Sequence, residues 1–536
     1  MTTVIEPKKL QHSSNSASTS TSALTAGKSV GGDISAAFLA TLKRDFEAKP
    51  NLRMAQNAVT QTAVDDIALN RAIVTNTDHT FSHLLDDWAV THQKKSGRCW
   101  MFAGLNLFRV GAMRKMNLKD FEFSQNYTLF WDKFERSNFF LEAIIETADR
   151  DVDDRTVAFL LDRPLEDGGQ WNMFVNIIRK HGLVPKAVMP ETQSSSDTMR
   201  MNGLLIHKLR EGAKTLRDLR GKGAPMEAVR TTKNEVLAAI HRILCIHLGT
   251  PPARFDWQWN DKDRKFHRDG EMTPQEFARR YVVRLTPQEF TTEDTEGTER
   301  SKGVENSQNS KSTIQHNSPQ SSSVLSVSSV VKDEPTQPLD LDDYICIVHD
   351  PRPTSPVNRT FTVEYLGNVV GAGNSGRVIY LNVDIKVMKD IAMKTLMAGE
   401  PVWFGCDVGK QMRRDMGLWD ANLFDYGSLY ETTFGLSKAD RLQYHQTLMT
   451  HAMLFTGVDV VGPANSPRAR RWRVENSWGD ENTGRKGFFV MNDSWFDEHM
   501  FEIAAHKSML PPALRKALEQ EPIVLPAWDP MGALAR

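Results

Sequence analysis

The chain has 536 residues, 40% hydrophobic and 25% charged, ordinary for a soluble globular protein and long enough for two or three domains. Its 66 Lys+Arg against 67 Asp+Glu give a formal net charge of −1, which excludes a global field for polyanions. Four scattered cysteines (Cys99, Cys245, Cys346 and Cys406) exclude a disulfide framework, no C-x-x-C spacing suggests a metal, and no apolar run of about eighteen residues suggests a membrane helix.

Residues 1–32 are rich in Ser, Thr and Ala and lack the apolar core of a secretory signal. They also lack the arginines of a mitochondrial transit helix, so they read as a disordered extension, with organelle targeting the lesser alternative. A helix is expected over Ile34–Ala48, capped by Asp33, with Phe38, Leu39, Leu42 and Phe46 on one face and Pro50 ending it.

The stretch Gln93-Lys94-Lys95-Ser96-Gly97-Arg98-Cys99-Trp100 carries the first chemistry. After Cys99 the apolar positions Phe102, Leu105, Phe108, Ala112, Met113 and Met116 recur at helical spacing and predict one core-facing stripe. Gly97 supplies a turn just before, so Cys99 falls in the first helical turn, where free N–H groups and the dipole favour a thiolate. Gln93, six residues earlier, is placed to offer its amide N–H to a developing oxyanion. A lone cysteine is more often a buried structural residue, and the partners further along the chain decide against that reading.

Helical patterns follow over Gln125–Phe134, Phe139–Ala148 and Asn172–His181. Before the last of these, Asp167-Gly168-Gly169-Gln170-Trp171 sets two glycines side by side, where another backbone can approach closely. Residues 191–290 read as helical and basic, with 15 Lys+Arg against 9 Asp+Glu between Arg200 and Glu271. Residues 291–338 are Ser-, Thr-, Glu- and Asn-rich low-complexity sequence, expected to be disordered, and a local T-P-Q-E-F duplication (273–277 and 286–290) sits at their edge.

From Tyr344 the pattern turns strand-like: Ile345–Val348, Phe361–Tyr365, Val378–Val383, Pro401–Phe404, Met449–Phe455, Arg471–Val474 and Gly487–Met491. This is the composition of an antiparallel β half. His451 lies in one such run, and Asn476 follows another in Glu475-Asn476-Ser477-Trp478-Gly479. His445 is the rival for the base. A Cys–His pair oriented by an Asn is an acyl-transfer constellation: Cys99 attacks, His451 moves the proton, Asn476 fixes the imidazole, Trp478 shields that bond, and Gln93 supports the oxyanion.

Cys…His…Asn in that order, preceded by Gln, resembles the papain-like cysteine peptidases. The window Ser96-Gly97-Arg98-Cys99-Trp100 has Ser96 where their signature has a first cysteine, which suits a reducing, cytoplasmic compartment. Together with Asp167–Trp171, Phe404-Gly405-Cys406-Asp407-Val408-Gly409-Lys410, Arg473–Gly479 and the terminal Pro526–Ala535, the chain resembles the bleomycin hydrolase and aminopeptidase C group over most of residues 34–290 and 340–536. The resemblance implies an α+β, papain-like two-lobe fold: a helical lobe (33–190), an inserted basic helical domain (191–290), an antiparallel β-barrel-like lobe (339–520) and a tail (521–536) in the cleft. It implies an aminopeptidase on peptides, extending to bleomycin-like amides or homocysteine thiolactone. It needs no cofactor or metal and no membrane.

The resemblance further implies a homohexamer with a basic channel; the competing class is a nucleic-acid-binding cage with secondary hydrolysis. It assigns Gly168 and Gly169 to the substrate backbone. It also places the tail through Ala535 in the upstream cleft, where a terminal carboxylate meets the substrate's α-ammonium. Arg536 is then one residue too many and is expected to be trimmed by the enzyme itself. The tail's prolines (Pro522, Pro526, Pro530) and small residues predict an extended strand.

Overall fold

The computed structural model describes residues 32–85, 88–285, 336–371, 377–481 and 483–535. The expectations for residues 1–31, 291–335 and Arg536 lie outside the described residues. The rest divides into two compact units, one of residues up to Ala68 with Tyr426–Thr432, the other of Leu69–Asp425 with Thr433–Arg536.

In the smaller unit the first helix runs Ala36–Glu47. Ser35, not Asp33, caps it: the Ser35 hydroxyl accepts from the Phe38 N–H at 3.2 Å. Pro50 does bar continuation, and it also opens the next helix, Pro50–Val59, at the position where a missing N–H costs nothing. The expected apolar face (Phe38, Leu39, Leu42, Phe46) is exposed in the isolated chain. Lys49 pairs with Glu431 at 2.7 Å, and the Tyr426 hydroxyl donates to Asp65 at 2.5 Å.

The larger unit is mixed α/β, built on one twelve-stranded sheet. The strands lie in the order Met412–Arg413, Leu418–Trp419, Phe488–Asn492, Arg468–Glu475, His451–Val461, Val402–Cys406, Met500–His506, Tyr344–Val348, Ile379–Asn382, Arg359–Val363 and Ile523–Leu525; His83–Leu84 pairs at the side of His451–Val461. The seven expected strands are all present, but the sheet is not purely antiparallel. Tyr344–Val348 runs parallel to Ile379–Asn382, Leu418–Trp419 to Phe488–Asn492, and Ile523–Leu525 to Arg359–Val363. In each case other strands of the same sheet come between the two partners along the chain, so none of the three pairs is joined by a tight hairpin.

The helix Cys99–Met116 starts where expected, but it has no single buried stripe. Fourteen of its first fifteen positions cannot be told apart by burial from the fifteenth: all of Cys99–Met113 is buried. The helix lies between the His451–Val461 and Val402–Cys406 strands on one side and the helices Gln125–Glu146 and Trp171–His181 on the other. A helix walled on all sides is apolar all round. The two helical patterns after it are one helix, Gln125–Glu146, carried through its polar middle by the Arg136–Asp132 ion pair one turn apart and by the Ser137 hydroxyl bonding back to Lys133 O.

The basic segment forms two 23-residue helices, Met199–Gly221 and Met226–Leu248, packed on each other and on Gln125–Glu146. Their apolar faces (Leu205, Leu209, Leu216, Val236, Ile240, Leu244) share one core with the Cys99 helix. Thr336–Pro338, counted with the low-complexity insertion in the sequence, is a strand paired antiparallel with Val283–Leu285. The tail is extended only in part: Ile523–Leu525 is a strand, Pro530–Gly532 is a 3-10 turn capped by Asp529, and Ala533–Ala535 continues beyond it.

Candidate active site

Cys99 is the first helical residue and is fully buried. The preceding turn is locked from two sides. Arg98, itself buried, grips Glu191 with both guanidinium nitrogens at 3.0 and 2.7 Å, and its Nε donates to the Ser96 hydroxyl at 2.9 Å. Asp167 accepts from the Gly97 N–H at 3.1 Å, from Asn202 at 2.7 Å and from Thr198, and pairs with Lys133 at 2.6 Å. Burial works to raise the Asp167 carboxyl, but Lys133, Thr198 and Asn202 outweigh it and hold the group below the usual carboxylate range. The turn that sets the thiol is thus tied to the loop that carries Gly168 and Gly169.

His451 opens its strand, opposite Cys406 on the neighbouring strand, and is buried. Asn476 directly follows the adjacent antiparallel strand, whose Glu475 stands opposite Leu454. Strand start and strand end meet, and His451 Nε2 lies 3.0 Å from Asn476 Oδ1. The Trp478 ring packs against the imidazole at a tilt, their centroids 5.1 Å apart, with the Arg414 guanidinium 4.9 Å over the indole. His445 is exposed, in a left-handed conformation just past a short helix. The burial and the Asn476 contact belong to His451.

The Ala452 backbone N–H, next to His451, faces the Cys99 sulfur and favours its thiolate, as do the N–H groups of Trp100 and Cys99 itself. Burial is the larger effect and pushes the thiol up to about 12. The helix terminus therefore does not by itself give a standing thiolate, because the sulfur has lost its water. The proton must leave as a base accepts it, and the imidazole held by Asn476 is the base on the adjoining strand.

Gln93 is buried and firmly set. Its backbone N–H donates to Ser477 O at 2.8 Å, and the Gly479 N–H donates to Thr91 O at 3.1 Å, so 91–93 and 477–479 form a short antiparallel ladder. The Ser96 carbonyl, which can only accept, fixes the nitrogen end of the amide, and the Ser477 hydroxyl donates to Gln93 Oε1 at 2.6 Å. Nε2 donates one hydrogen to Ser96 O at 2.6 Å and has a second hydrogen to give. The oxyanion candidate and the Asn476 loop are one construction.

Trp100 Nε1 donates to Asp167 O at 2.7 Å and its ring lies flat under Gly169, where a Cβ would come within 2.5 Å of the indole. Arg136 donates to Gly168 O. Gly169 faces the tail: its N–H donates to Ala535 O at 2.9 Å, and its carbonyl accepts from the Ala535 N–H at 3.1 Å. Ala535 is fully buried there. Of the residues expected at the site, Gly169 and Ala535 are joined directly, Gly168 is turned to Arg136, and Arg536 lies outside the described residues.

Sequence reasoning missed the second layer: Arg98 with Glu191, Asp167 with Lys133, and Glu475 with the Cys99 helix. Each includes a charged residue inside a motif otherwise read for its neighbour, and a charge amid apolar residues is the signal that a partner exists. Among the described residues no cluster of His, Cys, Asp and Glu could hold a metal ion, and no helix is long and apolar enough to cross a membrane.

The model of the Peptidase C1-like family matches residues 33–293 and 324–532. The chain is similar to bleomycin hydrolase of Homo sapiens, 39% identical over 506 residues covering 93% of this chain and 98% of the relative. It is likewise similar to aminopeptidase C of Lactobacillus delbrueckii subsp. lactis, 38% identical over 489 residues, 91% of this chain and 95% of the relative. Among solved structures it is similar to PepW from Lactobacillus rhamnosis HN001, with a TM-score of 0.81 at 41% identity, covering 94% of this chain and 99% of that one.

Proposed function

The chain belongs to the Peptidase C1-like family and is a papain-like cysteine aminopeptidase, and from that premise we propose that it releases single residues from free peptide amino termini by thiol acyl transfer. Cys99 attacks the carbonyl as its proton passes to His451, and the imidazolium then protonates the leaving amine. Asn476 keeps the ring in the productive orientation. Gln93 Nε2 and the Cys99 backbone N–H receive the oxyanion. Water, activated by His451, releases the acyl group.

One observation carries the restriction to amino termini. Gly169, the glycine assigned to substrate backbone, already exchanges two hydrogen bonds with Ala535 of the chain's own tail. A peptide extending upstream of the scissile bond would need that place, so only a short amino-terminal portion fits ahead of the cut. The four free thiols support a reducing, cytoplasmic setting. Bleomycin-like amides and homocysteine thiolactone fall within the same chemistry, as acyl groups next to a free amine. Assembly as a homohexamer belongs to this reading as well.

The test is hydrolysis of aminoacyl fluorogenic amides and of their N-acetylated counterparts by the intact enzyme and by a variant ending at Leu525. The intact enzyme should cleave only the free-amine substrates and lose that activity to a thiol-alkylating agent. The shortened enzyme should accept acetylated and internal bonds. If it still demands a free amine, the tail does not set the restriction.

A further inference from the structure

The tail is gripped well before it reaches Gly169. Asp529 accepts from Arg352 Nη1 and Nη2 at 3.1 and 2.8 Å, and Arg352 is itself braced by Asp350. Trp528 lies under the Arg155 guanidinium, 3.9 Å from its carbon to the ring centroid. These contacts fasten the base of the tail but leave the register of its last residues open.

The register is read further along, by carbonyls two residues apart. Ala533 O accepts from Gln170 Nε2 at 2.7 Å, and Met531 O accepts from the same nitrogen at 3.4 Å. Tyr380 Oη lies 2.8 Å from both Met531 O and Gln170 Oε1, sharing its single hydrogen between them. Ala535 O then meets the Gly169 N–H. The carbonyls of 531, 533 and 535 therefore face one wall, the first from the 3-10 turn Pro530–Gly532 and the other two from the residues that continue beyond it.

Gln170 is the residue that unites this wall. It is buried, it directly follows Gly169, and it occupies the cap position of the helix Trp171–His181. A Ser, Thr, Asp or Asn at that position turns back to the free N–H groups of the first turn, and the longer Gln reaches outward instead. Gln170 makes no such bond; both ends of its amide are committed to the tail and to the tyrosine that holds the tail. Its placement serves the tail rather than the helix.

We infer that Gln170, braced by Tyr380, is the specificity-determining residue of this site: it fixes the register of the tail against Gly169 and so sets how many substrate residues fit ahead of the scissile bond. Gln170 acts through the tail and is a positioning residue. The inference rests on the proposed reading that the tail occupies the upstream cleft.

The experiment uses full-length Gln170→Leu and Tyr380→Phe beside the variant ending at Leu525, with peptide products resolved by mass spectrometry. For Gln170→Leu, KM for aminoacyl amides should rise about three- to tenfold per hydrogen bond removed, with kcat held within about twofold. Dipeptide release and cleavage of N-acetylated peptides should appear in the variant and be absent from the wild type. Tyr380→Phe should move in the same direction by less, and it carries the test if Gln170→Leu folds poorly. If the shortened enzyme cleaves acetylated peptides while both substituted enzymes keep the wild-type product pattern, Gln170 is not the register stop and the reading of the tail stands. If the shortened enzyme also requires a free amine, the reading of the tail falls, and this inference with it.

Discussion

Arg109 Nη2 donates to Glu475 Oε1 across 2.6 Å, and both side chains are buried. Arg109 belongs to the Cys99 helix and Glu475 is the residue before Asn476, so this ion pair joins the nucleophile's helix to the strand that orients the base. Asn106 of the same helix (2.8 Å) and Trp88 Nε1 (2.6 Å) complete the shell of the carboxylate. Among the described residues Arg109 Nε and Nη1 have no hydrogen-bond partner, so Glu475, with the Trp88 ring 5.5 Å from the guanidinium carbon, offsets its buried charge. Glu475→Ala should destabilise the fold by about 3–5 kcal/mol, the usual cost of stranding one member of a buried pair. Denaturant unfolding measures this. The double variant Arg109→Met/Glu475→Ala should recover most of the loss; no recovery would mean that packing, not charge, carries the effect.

Cys99→Ala should abolish hydrolysis and leave unfolding close to wild type. Alanine keeps the Cβ and is the best helix former, and the sulfur is a small part of a large core. Turnover by purified Cys99→Ala protein above that of the buffer would reject Cys99 as nucleophile.

Gln93→Ala removes an amide that meets Ser96 and Ser477 as well as the proposed oxyanion position. The expected loss is about 10²–10³ in kcat with little change in KM, as for one oxyanion donor. A change of less than about threefold would remove Gln93 from the mechanism. An equal loss in Ser477→Ala, which frees only the amide oxygen, would assign the effect to loop order instead.

What the sequence disclosed was local. Gly97 before Cys99, the glycine pair before Trp171, and Asn476 after a strand are each read within a few residues, and the structure places them as turn, close approach and strand end. What it withheld was pairing at a distance. Arg98 finds Glu191, Arg109 finds Glu475, and Gln170 finds Ala533 across the fold, and no periodicity encodes such meetings. The Met500–His506 strand and the Ile385–Met397 helix were also passed over. The strand is buried along nearly its whole length and carries no strict alternation; the helix does keep one buried stripe (Met388, Ile391, Ala392, Leu396), but it is short and lies among strand-like runs. The break expected between Phe134 and Phe139 failed for a related reason: Glu135, Arg136 and Ser137 are buried but bonded, to His181, Asp132 and the Lys133 carbonyl, so the helix runs through them.

The two strands Val283–Leu285 and Thr336–Pro338 pair in register, Leu285 opposite Thr336. Residues 286–335 therefore depart from and return to neighbouring points of one ladder. Replacing 286–335 by a short Asn-Gly-containing turn should close that ladder as a hairpin. Aminopeptidase activity and the melting temperature should stay within about twofold and a few degrees of wild type, since a shorter closure is entropically no worse. A collapse in soluble yield would assign the segment a structural role.

The last prediction concerns two buried groups only three residues apart. His499 is pushed down to about 3, first by burial and then by the Arg441, Lys438 and Lys410 cations, and its Nδ1 has no hydrogen-bond partner among the described residues. The folded state thus prefers the neutral ring, while the unfolded chain takes up a proton below about 6.5. Stability from this site is full above 6.5 and is lost as pH falls toward 3. Glu502 runs the other way. Burial pushes it up to about 7, and its Oε1 is unpaired, so the folded state prefers the neutral acid. Its contribution is full below the unfolded value near 4.5 and is lost as pH rises toward 7. Between about 4.5 and 6.5 the two slopes oppose each other, each about 1.4 kcal/mol per pH unit at most. His499→Gln should therefore gain stability relative to wild type as pH is lowered through that window, and Glu502→Gln should gain as pH is raised. Melting temperatures from pH 4 to 7.5 measure both. Parallel curves for wild type and either variant would show that the group concerned does not titrate in the fold as its burial requires.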